Sequence, residues 1–167
     1  MKAVNALALA VIAFGSLFAL RSCVVVPAGC LIRVKRVENQ TKLALDAAGN
    51  FQAIVLAREN IDRLRHCENH YPLDVNVYML EGANFQIMQQ LDRAAAAYEK
   101  ALRIDRRPEI YFNLGIVQLE MKHREKARTN FISAVTFAPR MIEEIPDITI
   151  REEVKAEITR TLGPDWL

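Results

Sequence analysis

The sequence repeats itself over its second half, and this repeat restricts the possible folds more than any other feature. When residues 108–139 are placed beside residues 75–107 with an offset of 33, five uncommon positions coincide. The pairs are Tyr78 with Tyr111, Gly82 with Gly115, Ala94 with Ala127, Tyr98 with Phe131, and Ala101 with Ala134. A fixed period of this length is typical of proteins built by stacking identical structural units.

The residue types at these positions predict that each unit is a hairpin of two helices. Glycine inside a helix costs about 1 kcal/mol relative to alanine, so Gly82 and Gly115 need a packing reason. We expect them to lie where two helix backbones approach closely, facing Ala94 and Ala127 of the second helix. The aromatic residue one turn later fills the wider space, and the last alanine of each unit lets the next unit dock.

Hydrophobic periodicity and the placement of Gly and Pro predict a helical chain from Arg36 almost to its end. The predicted helices lie near residues 36–48, 51–70, 74–89, 92–105, 108–121 and 124–137. Pro108 can begin a helix because its missing N–H is not needed there. Before them, residues 22–34 hold two β-branched runs, for which a small hairpin and an extended tether are both possible.

A further helix is predicted over residues 149–162. Its apolar stripe recurs every four residues, at Ile150, Val154, Ile158 and Leu162. Thr149 and Glu152 have the spacing of a capping box, in which each side chain bonds the other's free backbone N–H. A helix with one narrow apolar stripe covers an edge, so we interpret it as a cap on the last hairpin.

This pattern resembles the tetratricopeptide repeat (TPR), whose unit is 34 residues in two antiparallel helices. The unit at 108–141 carries the family's signature residues Tyr111, Leu114, Gly115, Ala127, Phe131, Ala134 and Pro139. The unit at 75–107 departs from it, since Glu81 replaces leucine and Arg106 replaces proline. Residues 36–74 resemble a degenerate third copy. The resemblance implies an all-α fold: a short TPR-type α-solenoid of about three helical hairpins plus a C-terminal capping helix, preceded by an N-terminal hydrophobic segment.

In TPR proteins the first helix of each unit lines a concave face that binds a peptide or a helix. Carried over to this sequence, the positions on that face are Asn76, Met79, Ala83, Gln86, Glu109, Phe112, Ile116 and Leu119. They include no lysine or arginine, so the basic clamp by which chaperone-binding members hold a terminal carboxylate is missing. The resemblance therefore implies an apolar protein segment as partner. The chain's own C-terminal helix or N-terminal segment is the other possible occupant.

The N-terminus has a different composition from the repeats. After Lys2, residues 3–20 form a stretch of 18 residues without charge. Such a stretch is typical of a signal peptide or a membrane anchor. We therefore assign residues 1–22 to that segment, 23–35 to a tether, and 36–167 to the TPR-like domain.

Two features of the border point in different directions. Leu20-Arg21-Ser22-Cys23 resembles a bacterial lipobox and makes Cys23 the lipidation candidate, although Arg21 departs from that pattern. Arg33, Lys35 and Arg36 favour instead an uncleaved spanning helix whose C-terminal flank stays in the cytoplasm, because positive charge resists translocation. Cleavage, lipidation and a spanning helix all remain possible.

The cysteines do not form a disulfide framework, since the chain has three. If Cys23 carries lipid, Cys30 and Cys67 could pair with each other. Cys30 is also a second, poorer lipidation candidate because Pro27 stands where leucine is expected. In a cytoplasmic domain all three cysteines would stay reduced.

Charge and motifs argue against several function classes. Without Lys2 and Arg21 the chain has 20 Lys/Arg and 20 Asp/Glu, which is not the basic excess of a nucleic-acid-binding domain. The sequence has no nucleophile elbow, phosphate-binding loop or zinc motif, so we predict neither enzyme activity nor a cofactor. His66 and His70 could share a metal on one helix face, but no second ligand pair accompanies them, and we predict no metal site.

These observations together predict a protein-interaction scaffold that is tethered to a membrane. We expect an accessory or assembly subunit of a bacterial envelope machine, such as a secretion, pilus or outer-membrane complex. The domain would be periplasmic if the N-terminus is cleaved or lipidated. The alternative is a structural subunit of an integral membrane complex with an uncleaved N-terminal helix, for whose lateral packing the small residues among 3–15 are suited.

Overall fold

The structure is a computed structural model that describes residues 26–47, 49–70 and 74–163. Within these ranges the regular structure is helical and no strand is present, which confirms the predicted all-α fold. The elements are α1 (Val26–Asp46), α2 (Phe51–His70), α3 (Val75–Ile87), α4 (Leu91–Ile104), α5 (Pro108–Glu120), α6 (Arg124–Phe137), a 3-10 helix (Pro139–Glu144) and α7 (Ile148–Leu162).

The helices pack as three hairpins, α1–α2, α3–α4 and α5–α6, and each hairpin rests on the next. Helix α2 contacts α3, α4 contacts α5, and α6 contacts both the 3-10 helix and α7. The first helices of the hairpins also touch, α1 with α3 and α3 with α5. This arrangement is the short TPR-type α-solenoid that the sequence predicted.

The turns inside the second and third hairpins repeat with the sequence. Gln89 and Lys122 occupy equivalent places and have left-handed backbones, with φ of 57° and 62°. In each turn the N–H of the next residue donates to a carbonyl oxygen five residues earlier, at 2.9 Å in the first turn and 2.8 Å in the second. The repeat is therefore one of backbone geometry as well as of residue type.

Gly82 and Gly115 make room for an aromatic ring. A Cβ atom added to Gly82 would lie 2.7 Å from Cζ of Tyr98, and one added to Gly115 would lie 2.7 Å from Cε1 of Phe131. Both rings are buried. We expected each glycine to face an alanine of the second helix, whereas the atoms nearest to the missing Cβ belong to the aromatic ring from one turn later.

Helix α1 begins at Val26, well before Arg36, where helical structure was expected to start. The predicted hairpin or extended tether is therefore wrong for residues 26–35, while 23–25 lie outside the described residues. The reason is a stripe of buried side chains at helical spacing, namely Cys30, Val34, Val37, Thr41 and Ala44. Packing of this stripe against α2 and α3 outweighs the strand preference of the β-branched residues.

Helix α7 is capped by Asp147 and not by the predicted capping box. The Asp147 carboxylate accepts a hydrogen bond from the N–H of Ile150 at 2.9 Å, and the helix begins at Ile148. Thr149 therefore lies inside the first turn. The predicted stripe is buried at Ile150, Val154 and Ile158, where it closes the C-terminal end of the core.

A disulfide joins α1 to α2. Cys30 and Cys67 pair with their Cα atoms 5.5 Å apart, and both side chains are buried. They belong to an apolar cluster with Val34, Val37 and Leu64, and this cluster holds the first turns of α1 against α2. The pairing that the sequence left open is therefore present, and the Cys67 sulfur is not available to a metal.

Three buried polar side chains link the first three helices. The Asn84 amide of α3 donates to the Thr41 hydroxyl of α1 at 2.8 Å. The Asn60 amide of α2 donates to the Asn84 side-chain oxygen at 3.1 Å. Because a buried polar group costs stability unless it is hydrogen-bonded, this network favours one register of the first hairpin on the second. The sequence pattern gives no sign of these hydrogen bonds.

Candidate partner-binding face

The first helices α1, α3 and α5 lie side by side and form one face of the solenoid. On α3, Asn76 is exposed, whereas Met79, Ala83 and Gln86 are half-buried. These four side chains recur at helical spacing, so they follow one side of α3 as the family pattern implies. Binding of a partner by these residues stays a prediction.

A groove lies between α1 and α3 on this face. It has a volume of about 280 Å³, and its α3 side is formed by Asn76, Met79 and Leu80. Its α1 side is formed by Leu31, Val34, Lys35 and Glu38. The predicted residues Asn76 and Met79 are therefore brought together, but half of the groove comes from α1, whose residues before Arg36 were assigned to a tether. The buried stripe from Cys30 to Ala44 was the signal that could have revealed it.

The α5 part of the face is more covered. Phe112, Ile116 and Leu119 are half-buried and pack against the cluster made by α6, the 3-10 helix and α7. The Phe112 ring lies 5.4 Å from the Phe131 ring, measured between centroids. The capping end of the chain thus partly covers the apolar side chains of α5, while Glu109 at its first turn is exposed.

Polar contacts tie neighbouring first helices together along this face. The Gln86 amide of α3 donates to the Glu120 carboxylate of α5 at 2.6 Å. Before α5, the Arg107 guanidinium donates to the Asn76 side-chain oxygen at 3.2 Å. Lys35 and Arg107 therefore border a face that the sequence predicted to lack cations. Lys35 is paired with Glu38 at 2.8 Å, so it does not recreate a basic clamp.

The exposed apolar surface is concentrated at the first hairpin. Leu31 is 70% exposed and Phe51 is 77% exposed, whereas Met79 and Phe112 are only half-exposed. The other large apolar side chains exposed on α1 and α2 are Ile32, Leu43, Leu45 and Val55. Of these exposed apolar side chains, only Leu31 lines the groove between α1 and α3.

A second cavity, of about 220 Å³, lies between α2, α3 and α4 and is lined by both charged and apolar side chains. Glu81 of α3 contributes to its lining although only 5% of the residue is exposed. At the same cavity the Lys100 ammonium is paired with the Glu68 carboxylate at 3.1 Å. Glu81 itself makes no hydrogen bond or ion pair with any described residue.

The environment of Glu81 favours its protonated form. Burial, together with the negative charge of Glu68, raises the pKa of Glu81 from 4.5 to about 7. The cations Lys100, Arg65 and Arg93 oppose this shift without cancelling it. A buried carboxylate thus stands at a position where the family usually has leucine, and its burial must cost stability when it ionises.

We expect Glu81→Gln to remove part of the pH dependence of stability. Since folding raises the pKa of Glu81, its contribution is fully present below pH 4.5 and is lost as the pH rises through about 7. The stability of the variant relative to wild type should therefore increase by about 1–2 kcal/mol between pH 5 and pH 8. Urea unfolding followed by circular dichroism measures this. Glu81→Leu should show the same trend, and a constant difference for both variants would contradict the assignment.

None of the helices in the described ranges has the length and apolar character that crossing a bilayer requires. The predicted segment at 1–22 and the lipidation candidate Cys23 lie outside these ranges. Both therefore stay predictions.

Comparisons with known proteins agree with the architecture. The tetratricopeptide repeat family matches residues 75–108 of the chain. A similar solved structure is the crystal structure of a thermophilic TPR protein from Thermus thermophilus, with a TM-score of 0.59 and 19% sequence identity. That match covers 74% of this chain and 61% of the other, so the chain spans less than two thirds of its length. No curated protein matches this chain in sequence.

Proposed function

We propose that this chain, which is a tetratricopeptide-repeat protein, is a non-enzymatic scaffold that is held at a membrane by its N-terminal segment and binds one protein partner there. TPR repeats generally bind proteins, and the fold suggests an interaction scaffold. The partner would bind in the groove between α1 and α3, and the N-terminal segment would attach the chain to the membrane. In this view the chain is an accessory subunit of a bacterial envelope assembly, such as a secretion, pilus or outer-membrane complex.

The observation that carries the binding proposal is the groove between α1 and α3. Leu31, Val34 and Met79 supply apolar walls, and Asn76, Lys35 and Glu38 supply polar groups at its edges. A groove of this composition fits an extended or helical segment with a few apolar anchors and uncharged flanks. A strongly charged terminal tail does not fit, because the cation in the groove is already paired with a carboxylate.

The disulfide supports export of the domain. Disulfides persist in oxidising compartments, which in bacteria means the periplasm or the cell surface, and are rare in the cytoplasm. The pairing of Cys30 with Cys67 therefore favours a signal peptide or lipid anchor, or a spanning helix whose C-terminal flank is outside. It weighs against the alternative of a structural membrane subunit with its domain in the cytoplasm, which the basic residues after position 32 favoured.

A site-specific crosslink in living bacteria tests the groove. A photoreactive amino acid at Met79 should give a discrete adduct that mass spectrometry identifies, and the same residue at exposed Thr129 on α6 is the matched control. Adding Leu31→Arg should abolish the Met79 adduct, because a charge then enters the apolar wall. An adduct from both sites, or one that survives Leu31→Arg, would contradict binding in this groove.

Fractionation with intact-mass measurement tests the tether. We expect the full-length protein in the membrane fraction, either lipidated at Cys23 after cleavage or uncleaved. If Cys23 carries lipid, the Cys23→Ser variant should lose the acyl mass and accumulate as uncleaved precursor. If the segment is an uncleaved anchor, the variant should stay membrane-bound and change in mass only by the substitution. Uncleaved, unlipidated protein that appears wholly in the soluble fraction would contradict any membrane tether.

A further inference from the structure

The first turns of α1 have a basic and apolar outer surface. Leu31 and Ile32 are 70% and 63% exposed, and Arg33, Lys35 and Arg36 are exposed beside them. Residues 26–36 contain these three cations and no carboxylate. We call these five side chains the α1 basic patch. Two large apolar side chains flanked by cations are the composition of protein surfaces that rest on anionic lipid headgroups.

The α1 basic patch is held rigidly on the domain. Cys30 and Val34, on the opposite side of the same turns, are buried, and the Cys30 sulfur is bonded to Cys67 of α2. Lys35 pairs with Glu38, while Arg33 and Arg36 make no ion pair with any described residue. The two arginines are therefore free to meet an anionic surface without breaking an existing contact.

The chain brings this patch close to the bilayer if its N-terminal segment is anchored there. Leu20, the last residue of the charge-free stretch, precedes Val26 by a link that spans at most about 20 Å when fully extended. Leu31 lies about 7.5 Å further along α1. The lipidation candidate Cys23 is closer still to the start of α1. Either anchor thus keeps the patch within a short distance of the headgroups.

We infer that the α1 basic patch docks on a membrane surface rich in anionic phospholipid and so sets the orientation of the solenoid relative to the bilayer. This inference rests on the proposed tether, which supplies the proximity. Each cation near an anionic surface adds favourable energy, and the exposed leucine and isoleucine can enter the headgroup region. Leu31 and Lys35 also line the groove between α1 and α3, so lipid and a partner in that groove compete for these two side chains, whereas Ile32, Arg33 and Arg36 serve the membrane alone.

Lysine footprinting on the full chain tests this docking. The protein is reconstituted in vesicles of phosphatidylcholine with phosphatidylglycerol, or of phosphatidylcholine alone, and its lysines are acetylated and quantified by mass spectrometry. Lys35 in the patch should react roughly fivefold more slowly on the anionic vesicles than on the neutral ones. Lys42, which is exposed on the same helix about 10 Å further along, is the internal control. It should react at the same rate on the anionic and on the neutral vesicles.

Two sets of variants separate docking from anchoring. Leu31→Asp with Ile32→Asp, and separately Arg33→Gln with Arg36→Gln, should restore the reactivity of Lys35 while the protein still floats with the vesicles. The second pair leaves the apolar residues unchanged, so it keeps the test valid if the first pair perturbs folding. Floating protein in which Lys35 reacts as fast on anionic as on neutral vesicles would overturn the docking and leave the tether intact. Protein that does not float at all would overturn both.

Discussion

Gly115→Leu is expected to lower the free energy of unfolding by about 3 kcal/mol or more, at the upper end of overpacking effects. The reason is the Phe131 ring, whose Cε1 and Cδ1 atoms would lie 2.7 and 2.8 Å from the first added carbon. Phe131 is fully buried among residues of α6, the 3-10 helix and α7, so the ring has no free space into which to move. Thermal and urea unfolding followed by circular dichroism measures the loss.

The matched control is Gly29→Leu in α1. A Cβ atom at Gly29 meets no other atom within 4 Å, so the same change should leave stability unchanged or raise it by about 0.5–1 kcal/mol through helix propensity. Gly82→Leu should behave like Gly115→Leu, because the Tyr98 ring covers Gly82 at the same distance. Equal melting temperatures for the Gly115 and Gly29 variants would show that the ring does not pack on the glycine.

The second and third hairpins could be predicted because one physical requirement recurs in both. A glycine, an aromatic ring and two alanines must appear at fixed distances for a helix pair to close and for the next pair to dock. Their coincidence at one offset is visible in the sequence. The contact partner of the glycine was not visible, because spacing shows that Gly115 and Phe131 belong together but not which side chain lies over the missing Cβ.

The first hairpin was only partly predictable because it lacks those markers. Helix α1 has valines in its first turns and a proline near its start, which in isolation favour extended structure. Its helix forms because Val34 and Val37 are buried by partners distant in sequence. The buried hydrogen bonds of Asn84 were hidden for the same reason, since an asparagine on an apolar helix face gives no sign of its partner.

The candidate site, like the fold, was predictable only in part. Asn76 and Met79 were predicted from the family's concave positions, and they do line a groove. Its other wall comes from residues 31–38 of α1, and most of it was missed because residues 23–35 were assigned to a tether. On α5, the predicted Ile116 and Leu119 lie on the expected helix, but the capping end of the chain covers part of them. The position of a residue within a repeat predicts which way its side chain points. Its exposure depends in addition on the elements that pack at the end of the solenoid.

Removing the disulfide with Cys30→Ala and Cys67→Ala together is expected to lower the free energy of unfolding by about 3–4 kcal/mol. The bridge joins residues separated by 37 positions, and a loop of that length restricts the unfolded chain considerably. For a domain of this size the melting temperature should fall by roughly 10 °C. A reducing agent should lower the melting temperature of the wild-type protein to a similar extent and should have no effect on the double variant.

Cys23→Ser is the control for this prediction, since it leaves both cysteines of the bridge in place. Its melting temperature should respond to reductant as that of the wild type does. Thiol counting on the denatured, unreduced protein checks the pairing directly. Free thiols at Cys30 and Cys67 in protein isolated from an oxidising compartment would contradict it.

Because Leu31 and Val34 adjoin Cys30 and form one wall of the groove, loss of the bridge should also release that wall. The crosslink from Met79 should therefore weaken in the double variant even at temperatures where the α3–α6 hairpins remain folded.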